Sequence, residues 1–141
     1  VAARLAAVCR SARVRALYAF GSRERQVWRL LAGGRARGHS DLDLAVLWLS
    51  PEAHDRFARR AKLENALWAG LNGVELDLVE LDGAGTFLKS AALKGERLYA
   101  ADDRDADACE ELAWAMEGDL LPIHRETLRE LVEIVMEDAL R

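Results

Sequence analysis

Apolar positions along the chain fall into three dense runs, with helically spaced stretches between and after them. Val14 to Phe20 is apolar at every position but Arg15, which predicts a buried strand. Leu42 to Leu49 is a second such run, and Val74 to Leu81 a third with more alternation. Residues 2–11, rich in Ala and Arg, predict a short helix. Arg23 to Ala32 predicts another, with Val27, Leu30 and Leu31 on one face. The glycines of residues 33–40 predict a loop. Ser50-Pro51 has the form of a helix start, Ser as N-cap and Pro in the first helical position. That helix is expected to reach about Ala69, with Phe57, Ala61 and Leu67 or Trp68 inward. A short helix from Thr86 to Lys94 is stopped by Gly95, and Arg97-Leu98-Tyr99 reads as a short extended piece.

Beyond Ala101 the pattern is helical to the end of the chain. Leu121, Leu128, Leu131, Val132 and Val135 form a stripe expected to be core, and Pro122 is expected to open or kink the last helix. Helices alternating with three strands predict a small α/β (α+β) fold, a mixed sheet flanked by helices. There are no repeats, low-complexity segments or linkers, so residues 1–141 read as one domain.

Composition changes this picture little. No apolar stretch approaches the ~20 residues of a membrane span, and no signal peptide is visible, so a cytoplasmic protein is expected. Cys9 and Cys109 lack metal-ligand spacing and read as reduced, small apolar residues. Charge is more informative. Residues 1–40 carry nine Arg against Glu24 alone, whereas residues 101–141 carry four bases against thirteen acids. The basic first third would attract a triphosphate or a nucleic acid. The acidic remainder argues against nucleic acid wrapping the surface and would suit a basic protein partner.

The candidate chemistry begins at Asp41-Leu42-Asp43. On a strand, side chains two apart share a face, so Asp41 and Asp43 point the same way, ~6.5 Å apart. Carboxylates that close repel unless a cation lies between them, and hard oxygen donors suit Mg²⁺. Asp77 sits in the third apolar run, and an adjacent strand would bring it beside the first pair. Three carboxylates on two strands suffice for the two ions of an in-line displacement. Gly21-Ser22 follows the first strand directly. A strand turning through Gly-Ser into a helix offers backbone N–H groups and a hydroxyl to phosphate.

Gly21-Ser22, Asp41-Leu42-Asp43-Leu44-Ala45-Val46 and Asp77-Leu78-Val79-Glu80-Leu81 together resemble the minimal nucleotidyltransferase (MNT) family, a branch of the DNA polymerase beta-like nucleotidyltransferase superfamily. Lys94-Gly95-Glu96-Arg97-Leu98-Tyr99 is similar to the family's segment after the third strand. The resemblance covers residues 14–100 as a catalytic core, with C-terminal helices over about 104–140. One feature departs from the family pattern. Eighteen residues, Arg23 to Ser40, separate Ser22 from Asp41, an extension of about eight residues that a loop tolerates. The family's Arg-x-Arg-Gly element is matched by Arg35-Ala36-Arg37-Gly38, while Arg23-Glu24-Arg25 stands at the usual distance from Ser22.

The resemblance implies these roles. Gly21 permits close backbone approach, and Ser22 contacts the terminal phosphates of ATP. Ser40, before the acidic pair, belongs to the same nucleotide site. Asp41, Asp43 and Asp77 hold two Mg²⁺ ions, and Asp77 helps deprotonate an acceptor hydroxyl. Either Arg35 and Arg37 or Arg23 and Arg25 neutralise phosphate charge. Stand-alone members act as antitoxins. They transfer AMP from ATP to a tyrosine of a separate, helical HEPN-domain RNase toxin, in a hetero-oligomeric assembly. Two other readings share the scaffold: an antitoxin that only masks its toxin, and an adenylyltransferase of small molecules such as aminoglycosides.

Overall fold

The computed structural model describes residues 1–35 and 41–140. Helix α1 (Ala2–Ser11) leads into strand β1 (Val14–Phe20). A 3-10 turn (Glu24–Gln26) runs into helix α2 (Val27–Leu31). Strand β2 (Leu42–Trp48), helix α3 (Arg56–Gly70) and strand β3 (Leu76–Glu80) follow, then helix α4 (Thr86–Leu93), strand β4 (Glu96–Ala100) and helix α5 (Asp103–Leu140). The strands form one mixed sheet in the order β3-β2-β1-β4. β1 runs antiparallel to both β2 and β4, and β3 runs parallel to β2. The parallel pair requires a crossover, which α3 supplies.

Both faces of the sheet are covered, which is why the first two apolar runs hardly alternate. Leu42, Leu44, Val46 and Trp48 pack with Leu5, Leu30 and Leu63 from α1, α2 and α3. Ala45 and Leu47 join Ala16 and Tyr18 against Ala92, Leu93 and Ala113 of α4 and α5. Cys9 lies fully within the first core, and burial pushes its thiol up to about 12. Gly95 stands where a Cβ would collide with the carbonyl oxygen of Ala19, so only glycine lets the chain pass from α4 into β4 against β1.

Four expectations need correction. Ser50-Pro51 does not start α3. Ser50 has φ 49°, in a turn, and the helix begins at Arg56. The buried Arg59 explains this: its guanidinium donates to the carbonyls of Leu49 at 2.6 Å and Ser50 at 2.8 Å, drawing that corner of the chain onto α3. The inward face of α3 is then Arg59, Leu63 and Leu67, four residues apart, so Phe57 points to solvent, 83% exposed. The helix expected over Arg23 to Ala32 opens as a 3-10 turn, although Val27, Leu30 and Leu31 are buried as expected.

The fourth correction concerns the C-terminus. α5 runs unbroken through Pro122, and its stripe is not core. Leu128, Leu131, Val132 and Val135 are 48–66% exposed. The reason is length. The helix α5 packs on, α4, has eight residues, ~12 Å, and α5 with thirty-eight outruns it. Its anchors among the described residues lie in its first half and just past Pro122. Arg15 pairs with Asp105 at 2.6 Å, the Tyr18 hydroxyl donates to Glu110 at 2.8 Å, and Arg97 reaches Asp107 and Glu110 at 2.6 Å. Farther along, Ser90 donates to Glu117, Lys94 pairs with Glu117 at 2.9 Å, and the Phe87 and His124 rings lie 4.8 Å apart.

Candidate active site

The site is assembled where β1 ends and where β2 and β3 begin. In the parallel pair, Asp43 stands in register with Asp77, one strand spacing of ~4.8 Å away. On its other side Asp43 is in register with Phe20, the last residue of β1. The chain leaves β1 through Gly21, whose φ is +78°. A Cβ built on Gly21 would lie 2.5 Å from Asp43 Oδ2. The glycine therefore serves two needs: it takes a left-handed turn and it leaves room for the carboxylate of Asp43. The start of β2 is tied to β3 by the Leu42 N–H, which donates to the Glu75 carbonyl at 2.8 Å.

Electrostatics mark the same cluster. Asp43 is half-buried, and its carboxyl titrates above the ordinary range, first because burial disfavours the anion, then because Asp77 and Asp41 repel it. Asp41 and Asp77 are exposed. Alternation places Asp43 and Asp77 on the face shared with Ala45 and Val79, the side on which α4 and α5 pack.

The phosphate-binding candidates are arranged around this edge unevenly. Ser22 is exposed in the turn directly after Gly21. The turn is held by the Gln26 N–H donating to the Arg23 carbonyl at 3.0 Å. Arg23 is buried, 4% exposed, whereas Arg25 and Arg35 are exposed. The Arg35 carbonyl accepts from the Arg29 guanidinium at 2.8 Å, which ties the chain after α2 back to that helix. Arg37 and Ser40 lie outside the described residues.

Among the described residues, no three His, Cys, Asp or Glu side chains are drawn together tightly enough to enclose a metal ion by themselves. The donor set nonetheless fits Mg²⁺, which takes one or two carboxylates and completes its octahedron with water and substrate phosphate. Two register-paired carboxylates with Asp41 beside them, Asp43 raised by burial and then by its two acidic neighbours, form a hard-oxygen edge that a divalent cation would relieve.

Sequence reasoning did not find the contact between Gly21 and Asp43, because a glycine carries no sign of the residue it makes room for. It also did not find the polar anchor of α5, formed by Tyr18, Arg97 and Glu110. The one available signal was a lone Arg in the half-apolar segment Arg97-Leu98-Tyr99.

A mixed sheet with paired carboxylates on adjacent strands, beside a Gly-Ser turn, defines a nucleotidyl-transferring class of protein. The chain belongs to the polymerase beta, nucleotidyltransferase family, which matches residues 4–104, and it is a nucleotidyltransferase of the polymerase beta-like fold. No curated protein sequence matches it significantly. Solved structures share its fold. One is a mutant of the toxin-antitoxin MntA-HpeT, at 20% identity over 94% of this chain and 98% of that one, with a TM-score of 0.65. Another is a toxin-antitoxin with AMP-PNP, at 22% identity over 93% and 98%, with a TM-score of 0.63. A third is a tri-AMPylated Shewanella oneidensis HEPN toxin in complex with MNT antitoxin, at 20% identity over 93% and 95%, with a TM-score of 0.61. No described helix is long and apolar enough to cross a membrane.

Proposed function

We propose that this chain is the antitoxin of a toxin-antitoxin pair, a Mg²⁺-dependent enzyme that transfers AMP from ATP to a tyrosine hydroxyl of a HEPN-domain RNase toxin. The whole chain acts as one minimal nucleotidyltransferase domain, core 14–100 and helices 104–140, in the cytoplasm where ATP is supplied. The observation that carries the reading is the register of Asp43 with Asp77, with Gly21 shaped around Asp43. The fold likeness to toxin-antitoxin structures supports the choice of partner.

In this mechanism Gly21 turns the chain so that Ser22 and the N–H groups of the turn meet the terminal phosphates. Arg25 and Arg35, with Arg37, offset phosphate charge. Arg23 lies in the same turn with its side chain buried. Asp41 flanks the nucleotide site, and Ser40 is assigned to it by the family resemblance alone. Asp41, Asp43 and Asp77 would hold Mg²⁺, which supplies charge neutralisation for the triphosphate when bound. The tyrosine oxygen attacks the α-phosphorus in line, the bond from that phosphorus to the bridging oxygen breaks, and pyrophosphate leaves. Asp77, exposed at the edge of the sheet, accepts the phenolic proton.

A second reading, an antitoxin that masks its toxin without chemistry, is favoured by the eighteen residues between Ser22 and Asp41. Labelled ATP with Mg²⁺ and the purified protein encoded beside this one separates the two. Label on the partner with wild type but not with Asp43→Asn is the expected result. A stable complex that never takes label would leave masking as the function.

A further inference from the structure

The distal half of α5 is an amphipathic helix whose apolar face is left exposed by the described residues. Beyond the Phe87–His124 ring contact, no described residue outside α5 is bonded or ion-paired to it. Over nine residues it presents Leu128, Leu131, Val132, Ile134, Val135 and Met136, all between 48% and 66% exposed. Six large side chains in that state form a patch on the order of several hundred Å², the size at which apolar surface on a monomer is often functional.

The shape of the patch limits what covers it. At 100° per residue, these six side chains together with Leu120 and Ile123 span roughly two-thirds of the helix circumference. A single partner helix covers a stripe of only ~100°. An arc this wide is buried when a helix lies in a groove between two others, as in a helical bundle. Charge limits it further. Glu126, Glu130, Glu133 and Glu137 share the narrow polar edge with Arg129, and residues 118–140 carry six acids against two arginines. An anionic membrane surface would repel that edge, since helices that lie on membranes carry Lys and Arg there. A second copy would oppose the same acidic edge and supply only one helix.

We propose that α5 from Leu128 outward is a docking helix. It seats in a groove between helices of the acceptor polypeptide, and basic residues on the rim of that groove meet its acidic edge. Identifying the occupant with the acceptor rests on the function proposed above; the groove and its basic rim do not. Pro122 separates the two halves of the helix. It has no N–H for the Gly118 carbonyl, so the bond is missing where the anchored part gives way to the docking part.

The test uses the full chain and the purified protein encoded beside it. Three variants are compared with wild type: Leu128→Glu/Val132→Glu/Val135→Glu, Glu130→Lys/Glu133→Lys/Glu137→Lys, and Asp43→Asn. Circular dichroism checks that each keeps its helix content. All changes in the first two lie on exposed positions, so the fold is expected to persist. The apolar variant should lose binding about 100-fold. The charge-reversed variant should lose about tenfold, with a weaker salt dependence. Asp43→Asn should bind like wild type, so loss of AMP transfer in that variant reports on the catalytic reading alone. Unchanged partner binding by the apolar variant would overturn the proposal. So would sedimentation of wild type alone as a dimer that the apolar variant splits, because a second copy would then be the occupant.

Discussion

Gly21 and Asp43 are fitted to each other: a Cβ on residue 21 would stand 2.5 Å from Asp43 Oδ2, and φ at that position is +78°. The Gly-Ser element is usually read as a seat for phosphate. Here its glycine is also the wall of the carboxylate site, so the Gly-Ser turn and the acidic edge form one unit. A change in either displaces the other.

Gly21→Ala should therefore damage function more than stability. The left-handed conformation costs an alanine about 1–2 kcal/mol. The new methyl must also push Asp43 off its position, and a misplacement of that kind costs about 100-fold in rate. Thermal melts beside a labelled-ATP transfer assay check this. Transfer at wild-type rate would show that Asp43 does not work from its observed position.

Asp43→Asn should stabilise the fold while abolishing transfer. The folded protein holds the Asp43 proton more tightly than the unfolded chain does, because burial, Asp77 and Asp41 all oppose the anion. The ionised group therefore lowers stability at neutral pH, and the penalty fades as pH falls through the raised folded-state value. Asn removes the penalty at neutral pH, so its melting temperature should exceed that of wild type there and converge with it in acid. Mg²⁺ should raise the wild-type melting temperature and leave Asp43→Asn nearly unmoved. Transfer should drop at least about 100-fold. An equal Mg²⁺ response in both proteins would remove Asp43 from the metal site.

What the sequence revealed depended on how local the determining physics was. Val14–Phe20 was legible to the residue because a strand covered on both faces is apolar almost throughout, Arg15 alone excepted. The carboxylate edge was legible because period-two alternation fixes a face and the Asp77 run supplied a neighbour. The start of α3 was not, because Ser50 obeys Arg59, which binds the carbonyls of Leu49 and Ser50 together with that of Arg13, 46 residues earlier in the chain. Nor was the fate of the Leu128–Val135 stripe. Periodicity shows that a helix has an apolar face but not whether anything within the chain reaches it.

Glu110→Ala should loosen α5 at its root. The Tyr18 hydroxyl, on a ring with no exposed surface, donates to Glu110 at 2.8 Å, and burial followed by that bond pushes its titration up. Alanine leaves a buried hydroxyl without its acceptor, a loss of about 1–3 kcal/mol. Glu110→Gln keeps an oxygen in place and should recover most of it, although Arg97 then retains only Asp107 and Asp103 as ionic partners. Urea unfolding of the three proteins decides. Equal losses for Ala and Gln would mean that the ion pair, not the tyrosine bond, sets the position of the helix.

Arg59→Met should separate stability from activity. The guanidinium is 5% exposed, lies 5.4 Å from the Trp48 ring centre and donates to the carbonyls of Leu49 and Ser50. It holds together the start of β1 and the end of β2, including the left-handed residues Arg13 and Ser50. Methionine fills similar space but leaves those carbonyls without their donor, and two lost charge-assisted bonds amount to about 3 kcal/mol. The clasp lies at the end of the sheet opposite Gly21 and Asp43, since β1 runs from one end to the other. Transfer measured well below the melting temperature should stay within about twofold of wild type, because sites this far apart act additively. A large loss of transfer in a protein that is still fully folded would mean that the two ends of the sheet are mechanically coupled.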